Sequence, residues 1–268
     1  MRLPRWRFAA DGTCTRIPAL GVDATLPPRA RVRTAACAER SGLVWVAPDP
    51  PVASIPAWPD SALVDGVTVG LAHLPTIQTP ASAGLCDNFL DEAHFPFVHS
   101  ATIGTAAPEV IGTYEVSVDG WSFSARREHR FSNVLDAEAV AGRRPLEQRR
   151  CMTYRFEPPF SLSLRLDMPD AGSWLSIGFW VQPEDEDSCR IFSSVVGPEL
   201  VDPDVRDELM ASELAVLMED VELQRRYRVR GLPLDLTAEV HTRADRVTVE
   251  LRRALRRFVE AAGTPAAP

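Results

Sequence analysis

Thr113-Tyr-Glu-Val-Ser-Val-Asp-Gly-Trp-Ser-Phe-Ser-Ala125 holds two runs of alternating apolar and polar residues, separated by Asp119-Gly120. Alternation at period two puts one apolar face on a strand. Asp-Gly supplies the positive φ angles of a tight hairpin turn. The stretch therefore reads as an antiparallel hairpin. Working outward, Arg150 to Phe156, Ser161 to Leu166, Trp174 to Val181 and Arg190 to Val196 continue the series of strands. Two long helices close the chain, at about 203–229 and 243–262. Strands followed by helices indicate an α+β domain, an antiparallel sheet flanked by long helices.

Towards the start, residues 1–47 are short and β-like, with turns at Asp11-Gly12 and Pro27-Pro28. Leu43-Val-Trp-Val-Ala47 reads as a buried strand. Pro48-Asp-Pro-Pro51, Pro56 and Pro59 mark a stiff linker. The expected organisation is a small β domain at 1–50, a linker at 51–62 and a large domain at 63–268.

A net charge of −8 and a pI near 5.2 argue against a nucleic-acid partner. No apolar run is long enough to span a bilayer. The basic start lacks the apolar segment of a signal peptide, so the expected compartment is the cytoplasm. Five scattered cysteines (Cys14, Cys37, Cys86, Cys151 and Cys189) form no C-x-x-C pair and read as free thiols.

The chemistry concentrates in Asn88-Phe-Leu-Asp91-Glu-Ala-His94-Phe-Pro-Phe-Val-His99. Two neutral imidazoles and one carboxylate form the three-ligand face that holds non-haem ferrous iron and leaves positions open for O2. Histidines five apart sit about 140° apart around a helix, so they converge only across a break. A helix at about 83–95 broken by Pro96 supplies one. Taken singly, each histidine reads more readily as a satisfied polar residue near the core; the whole Asn-Asp-His-His arrangement favours the metal. His73, His129 and His241 read as structural or surface residues. There is no H-E-x-x-H zinc protease motif.

The Asn-Asp-His-His spacing resembles the Rieske-type non-haem iron oxygenases, specifically the large (alpha) subunit of the vanillate O-demethylase-like branch. The resemblance implies a helix-grip (START-like) catalytic domain. It implies a third ligand in a late helix, where apolar residues precede Glu-Asp, here Leu214-Ala-Val-Leu-Met-Glu219-Asp220. On a helical wheel Asp220 falls about 80° from the apolar stripe of Met210, Leu214, Leu217 and Val221, and Glu219 about 180° away. His94, His99 and Asp220 are thus the expected metal ligands. Asp91 and Asn88 are the expected catalytic residues. Asp91 would link to a cluster-ligating histidine of the neighbouring subunit, unless it only caps or pairs locally, and Asn88 would orient the ligands. Phe123, Trp174, Ile177 and Phe179 are candidates to line an apolar pocket or simply to fill the core.

The resemblance extends towards the start of the chain. Trp6-Arg-Phe8, Asp11-Gly-Thr-Cys14, Ile17-Pro-Ala19, Pro27 to Arg33 and Gly42 to Val46 match the later part of a Rieske domain. The two cysteines and two histidines of a Rieske [2Fe–2S] cluster are not among them. The expectation is a chain truncated within that domain, with the cluster present only in the full-length parent. One possible coding of Met1-Arg-Leu-Pro-Arg5, read one base later, spells the missing Cys-Ala-Tyr-His-Gly, as a one-base deletion would produce.

The implied enzyme is a monooxygenase or dioxygenase that hydroxylates or demethylates an aromatic or similar apolar organic acid. It would use mononuclear Fe(2+) and O2, take electrons from a reductase or ferredoxin, and be a homotrimer when intact. The truncated form would be impaired. A helix-grip ligand-binding module without catalysis remains the alternative. Structural zinc on two histidines and an aspartate is a third.

Overall fold

The computed structural model describes residues 6–59, 63–81, 84–102, 110–133 and 136–263. Met1–Arg5, where the reading-frame expectation falls, lie outside the described residues, as do residues 60–62 of the expected linker. The chain divides into two compact units, Met1–Ile55 and Pro56–Pro268.

The first unit contains two hairpins. Strand β1 (Arg7–Phe8) pairs with β2 (Cys14–Arg16), and β3 (Ala36–Arg40) pairs with β4 (Leu43–Ala47). Leu43–Ala47 is not the buried strand its apolar composition suggests. Val44 is 66% and Val46 60% exposed. A two-stranded ribbon has no second layer of its own to bury either face.

In the second unit, β5 (Leu63–Val64) and β6 (Val67–Thr68) form a small hairpin. The main sheet contains β7 (Gly70–His73), β8 (Ile77–Thr79), β9 (Glu115–Asp119), β10 (Ser122–Ser132), β11 (Glu147–Glu157), β12 (Ser161–Met168), β13 (Ser173–Pro183) and β14 (Cys189–Gly197). Its order is β7-β14-β13-β12-β11-β10-β9, with β8 also paired to β14, and every pairing is antiparallel. The β9–β10 turn lies one residue beyond the expected pair: Asp119 is the last residue of β9 and pairs with Ser122, and Gly120-Trp121 make the turn, with Gly120 at φ +57°. The helices are α1 (Gly84–Leu90), α2 (Phe95–Val98), α3 (Ala137–Val140), α4 (Pro203–Gln224) and α5 (Arg246–Ala262).

One face of the sheet meets α1, α4 and α5 in a single core. Alternation selects Phe123 and Ala125 from β10, Met152, Tyr154 and Phe156 from β11, Leu162 and Leu164 from β12, and Phe179 and Val181 from β13. Leu85 and Leu90, Leu217 and Val221, and Val247, Leu251 and Leu255 supply the helical side. Phe156 is fully buried, and truncating such a ring to alanine costs about 3–5 kcal/mol. Phe123 and Phe179 are thus core residues. Trp174 takes the opposite parity on β13 and lies under the Arg165 guanidinium, 4.1 Å from its ring centre, so it does not line an interior pocket.

Two helices differ from expectation. The expected helix at 83–95 stops at Leu90, and a new short helix begins at Phe95. Pro96 does not end it. Pro96 sits in its first turn, where a missing N–H costs nothing. The first of the long helices ends at Gln224 rather than 229. Its start is capped by the Asp202 carboxylate, which accepts from the Asp204 N–H, with Pro203 at the first position.

Candidate metal centre

The break between α1 and α2 brings the two histidines together. Asn88 lies on α1, His94 immediately precedes α2 and His99 immediately follows it. The turn of chain between the histidines places His94 Nε2 3.1 Å from His99 Nε2. Asp220, on α4, brings Oδ1 to 3.4 Å from His94 Nε2 and 3.2 Å from His99 Nε2. His99 is 1%, His94 11% and Asp220 16% exposed at the side chain. These three are the one group of three or more metal-type ligands converging among the described residues.

The triangle fits a divalent cation. Ligand atoms about 2.1 Å from a metal stand about 3.0 Å apart at right angles and about 3.4 Å apart at the tetrahedral angle. Three such atoms facing one another cannot all be satisfied by protons, since two imidazole nitrogens 3.1 Å apart cannot both carry one. Protons are nonetheless what the metal must displace. Burial opposes a charged His94, but hydrogen bonds to the Asp220 and Asp91 carboxylates prevail and raise it to about 9. His99 is raised against burial in the same way by Asp220 and Glu219. Burial pushes Asp220 up, and the two histidines more than reverse this and lower it.

Each histidine is oriented through its other nitrogen. His94 Nδ1 lies 3.2 Å from Asp91 Oδ2, while Asp91 Oδ1 accepts from the Ala93 N–H. His99 Nδ1 lies 2.8 Å from Glu219 Oε2, which also accepts from the Thr102 hydroxyl at 2.7 Å. A carboxylate on the distal nitrogen fixes the tautomer that presents Nε2 to a metal. Glu219 therefore corrects the helical-wheel expectation that it faces solvent. The wheel measures α4 against one stripe, but the C-terminal end of α2 packs on a second side of α4, and Glu219 faces that end.

Asp220 is held by a relay that sequence reasoning missed beyond Asn88. The Thr79 hydroxyl donates to Gln224 Oε1, Gln224 Nε2 donates to Asn88 Oδ1 at 2.9 Å, and Asn88 Nδ2 donates to Asp220 Oδ1 at 3.1 Å. Thr79, Asn88 and Gln224 are all buried. Gln224 follows Asp220 by four residues, one helical turn, and that spacing is the only sequence signal for it. Arg252 of α5 clamps α1 with a bidentate grip on Asp87 and a further bond to Glu239 at 2.6 Å. Of the remaining histidines, His73 bonds Ser194 at 2.6 Å and His129 faces Arg150. No described helix is long and apolar enough to cross a membrane.

The chain is 28% identical over 254 residues to the probable methylxanthine N7-demethylase NdmC of Pseudomonas sp. (strain TJI-51), covering 92% of this chain and 82% of that protein. It is 28% identical over 258 residues to the methylxanthine N3-demethylase NdmB of Pseudomonas putida, covering 92% and 66% respectively. The solved structure of Pseudomonas putida CBB5 NdmA with caffeine has the same fold, with a TM-score of 0.76 and 23% identity over 96% of this chain and 72% of that one. Residues 81–261, from just after β8 to the last turn of α5, match the family described as vanillate O-demethylase oxygenase C-terminal domain. The chain belongs to that family, the catalytic domain of Rieske-type oxygenase alpha subunits.

Proposed function

We propose that this chain is the oxygenase component of a monooxygenase, hydroxylase or O-demethylase. Its substrate is an aromatic or similar apolar organic acid, oxidised at a mononuclear ferrous ion held by His94, His99 and Asp220. The observation that carries this reading is the buried triangle of two imidazole nitrogens and one carboxylate oxygen, 3.1–3.4 Å on a side. When bound, ferrous iron supplies the redox centre at which O2 is reduced and substrate oxidised, with ligand positions left open by the three-residue face.

The chain's own residues prepare that centre. Asp91 and Glu219 hold the Nδ1 protons of His94 and His99, so that both Nε2 atoms are available. Asn88, itself positioned by Gln224, aligns the Asp220 oxygen between them. The Asp91 side chain is 27% exposed while it braces His94. In a homotrimer it is the acid that a neighbouring subunit would meet. A Rieske cluster does not fit this chain's own residues: it needs two histidines, and residues 1–55 contain none. In the full-length parent, electrons would pass from a reductase or ferredoxin through the Rieske cluster to the iron.

The test is iron content after anaerobic purification. About one ferrous ion per chain, lost on His94→Ala, is the expected result. A metal-free native chain that still binds aromatic acids would make it a helix-grip binding module instead.

A further inference from the structure

The inward face of the β10–β11 hairpin changes character along its length. Its successive cross-strand pairs are Phe123 with Phe156, Ala125 with Tyr154, Arg127 with Met152 and His129 with Arg150. The first pair is core. The last two pairs place two guanidiniums and an imidazole on the same face. Glu92, two residues before His94, reaches this face, where the Tyr114 hydroxyl donates to it at 2.7 Å and Arg127 pairs with it. Both Glu92 and Arg127 are buried.

Glu92 thus compensates one guanidinium, and a second remains. Among the described residues no carboxylate pairs directly with Arg150, and the one whose charge reaches it, Glu92, is already paired with Arg127. It donates to His129 Nε2 at 3.0–3.2 Å and lies 4.4 Å from the centre of the Phe131 ring. Burial lowers His129 to about 4, with Arg150 and Arg127 adding to the effect, so the imidazole is neutral. Because its Nε2 accepts from Arg150, its Nδ1 carries the hydrogen. That Nδ1 has no partner in the structure, nor do the buried Tyr154 hydroxyl and the Arg127 Nε. Three unmatched donors and one surplus positive charge share one partly dry face. Such a set is costly unless an acceptor bearing negative charge completes it. A planar carboxylate matches a guanidinium fork best.

We infer that this end of the hairpin is an anion subsite, where Arg150, flanked by His129 and Tyr154, receives the carboxylate of the substrate. The inference rests on the oxygenase reading for the word substrate, and it deepens that reading by naming the residue that selects an acid. Two connections join the subsite to the metal centre. Glu92 directly follows Asp91, and the Tyr154 ring packs edge-on against Phe89 of α1, one residue from Asn88, with centroids 5.9 Å apart.

The test uses the full chain with benzoate and its neutral isostere benzamide as probes, with dissociation constants measured by NMR titration. The native chain is expected to bind benzoate at least about tenfold more tightly than benzamide, as a charge-assisted contact requires. Arg150→Met should weaken benzoate about 10- to 100-fold and leave benzamide unchanged. Tyr154→Phe, which removes a hydroxyl that bonds nothing in the structure, should weaken benzoate severalfold without moving the unfolding midpoint. Equal affinity for the two probes in the native chain overturns the inference, as does benzoate binding indifferent to both substitutions. Co2+ binding is measured alongside. Arg150-dependent benzoate binding in a chain that binds no Co2+ would support the anion subsite and sink the oxygenase reading. Co2+ binding lost on His94→Ala, with no preference for benzoate, would do the reverse.

Discussion

Proton and metal compete for the same nitrogens, so pH should move metal-free stability and metal affinity in opposite directions. His94 rises from an ordinary 6.5 to about 9 in the metal-free fold. A raised histidine contributes stability that is fully present below pH 6.5, its unfolded value, and is lost as pH climbs through about 9. The shift corresponds to about 3 kcal/mol. The lowered Asp220 reports the other side of the same contact and adds nothing separate. A metal needs His94 neutral, so apparent affinity should rise about tenfold per pH unit from 7 to 9, about 100-fold in all. Anaerobic Co2+ titration followed by visible absorption gives the affinity, and thermal unfolding with and without Co2+ gives the stability. Affinity flat across this range, or a metal-free chain that gains stability from pH 7 to 9, would refute the reasoning.

Gln224→Leu leaves the Asn88 carbonyl and the Thr79 hydroxyl buried without partners. It should cost about 1–3 kcal/mol in denaturant unfolding and weaken Co2+ about tenfold or more. Glu219→Ala frees His99 Nδ1. Co2+ affinity should fall about 10- to 100-fold, and stability by about 1–3 kcal/mol, because the buried His99 Nδ1 loses its acceptor. Arg252→Met removes a buried guanidinium and leaves the half-buried Asp87 carboxylate without its bidentate partner, so calorimetry should show a loss of about 1–3 kcal/mol.

What the sequence determined was whatever depends on near neighbours. Asp119-Gly120 between alternating runs specifies a hairpin because only its own backbone angles and side-chain parity are involved. The strands from Arg150 to Val196 follow on the same ground, and with the two late helices they make the α+β class legible. His94, His99 and Asp220 were nameable as ligand types from residue chemistry, spacing and family resemblance. The tertiary structure decided how they meet. The helix breaks after Leu90 rather than at Pro96, because proline is tolerated in a first helical turn and the chain there starts a new helix. Glu219 reaches His99 because α4 is packed on two sides, which a one-stripe wheel does not represent. The Thr79–Gln224–Asn88–Asp220 relay and the pairing of His129 with Arg150 join residues far apart in sequence. Their contacts depend on strand register and helix docking. Those are set by burying the whole core at once, and no local stretch of residues contains that information.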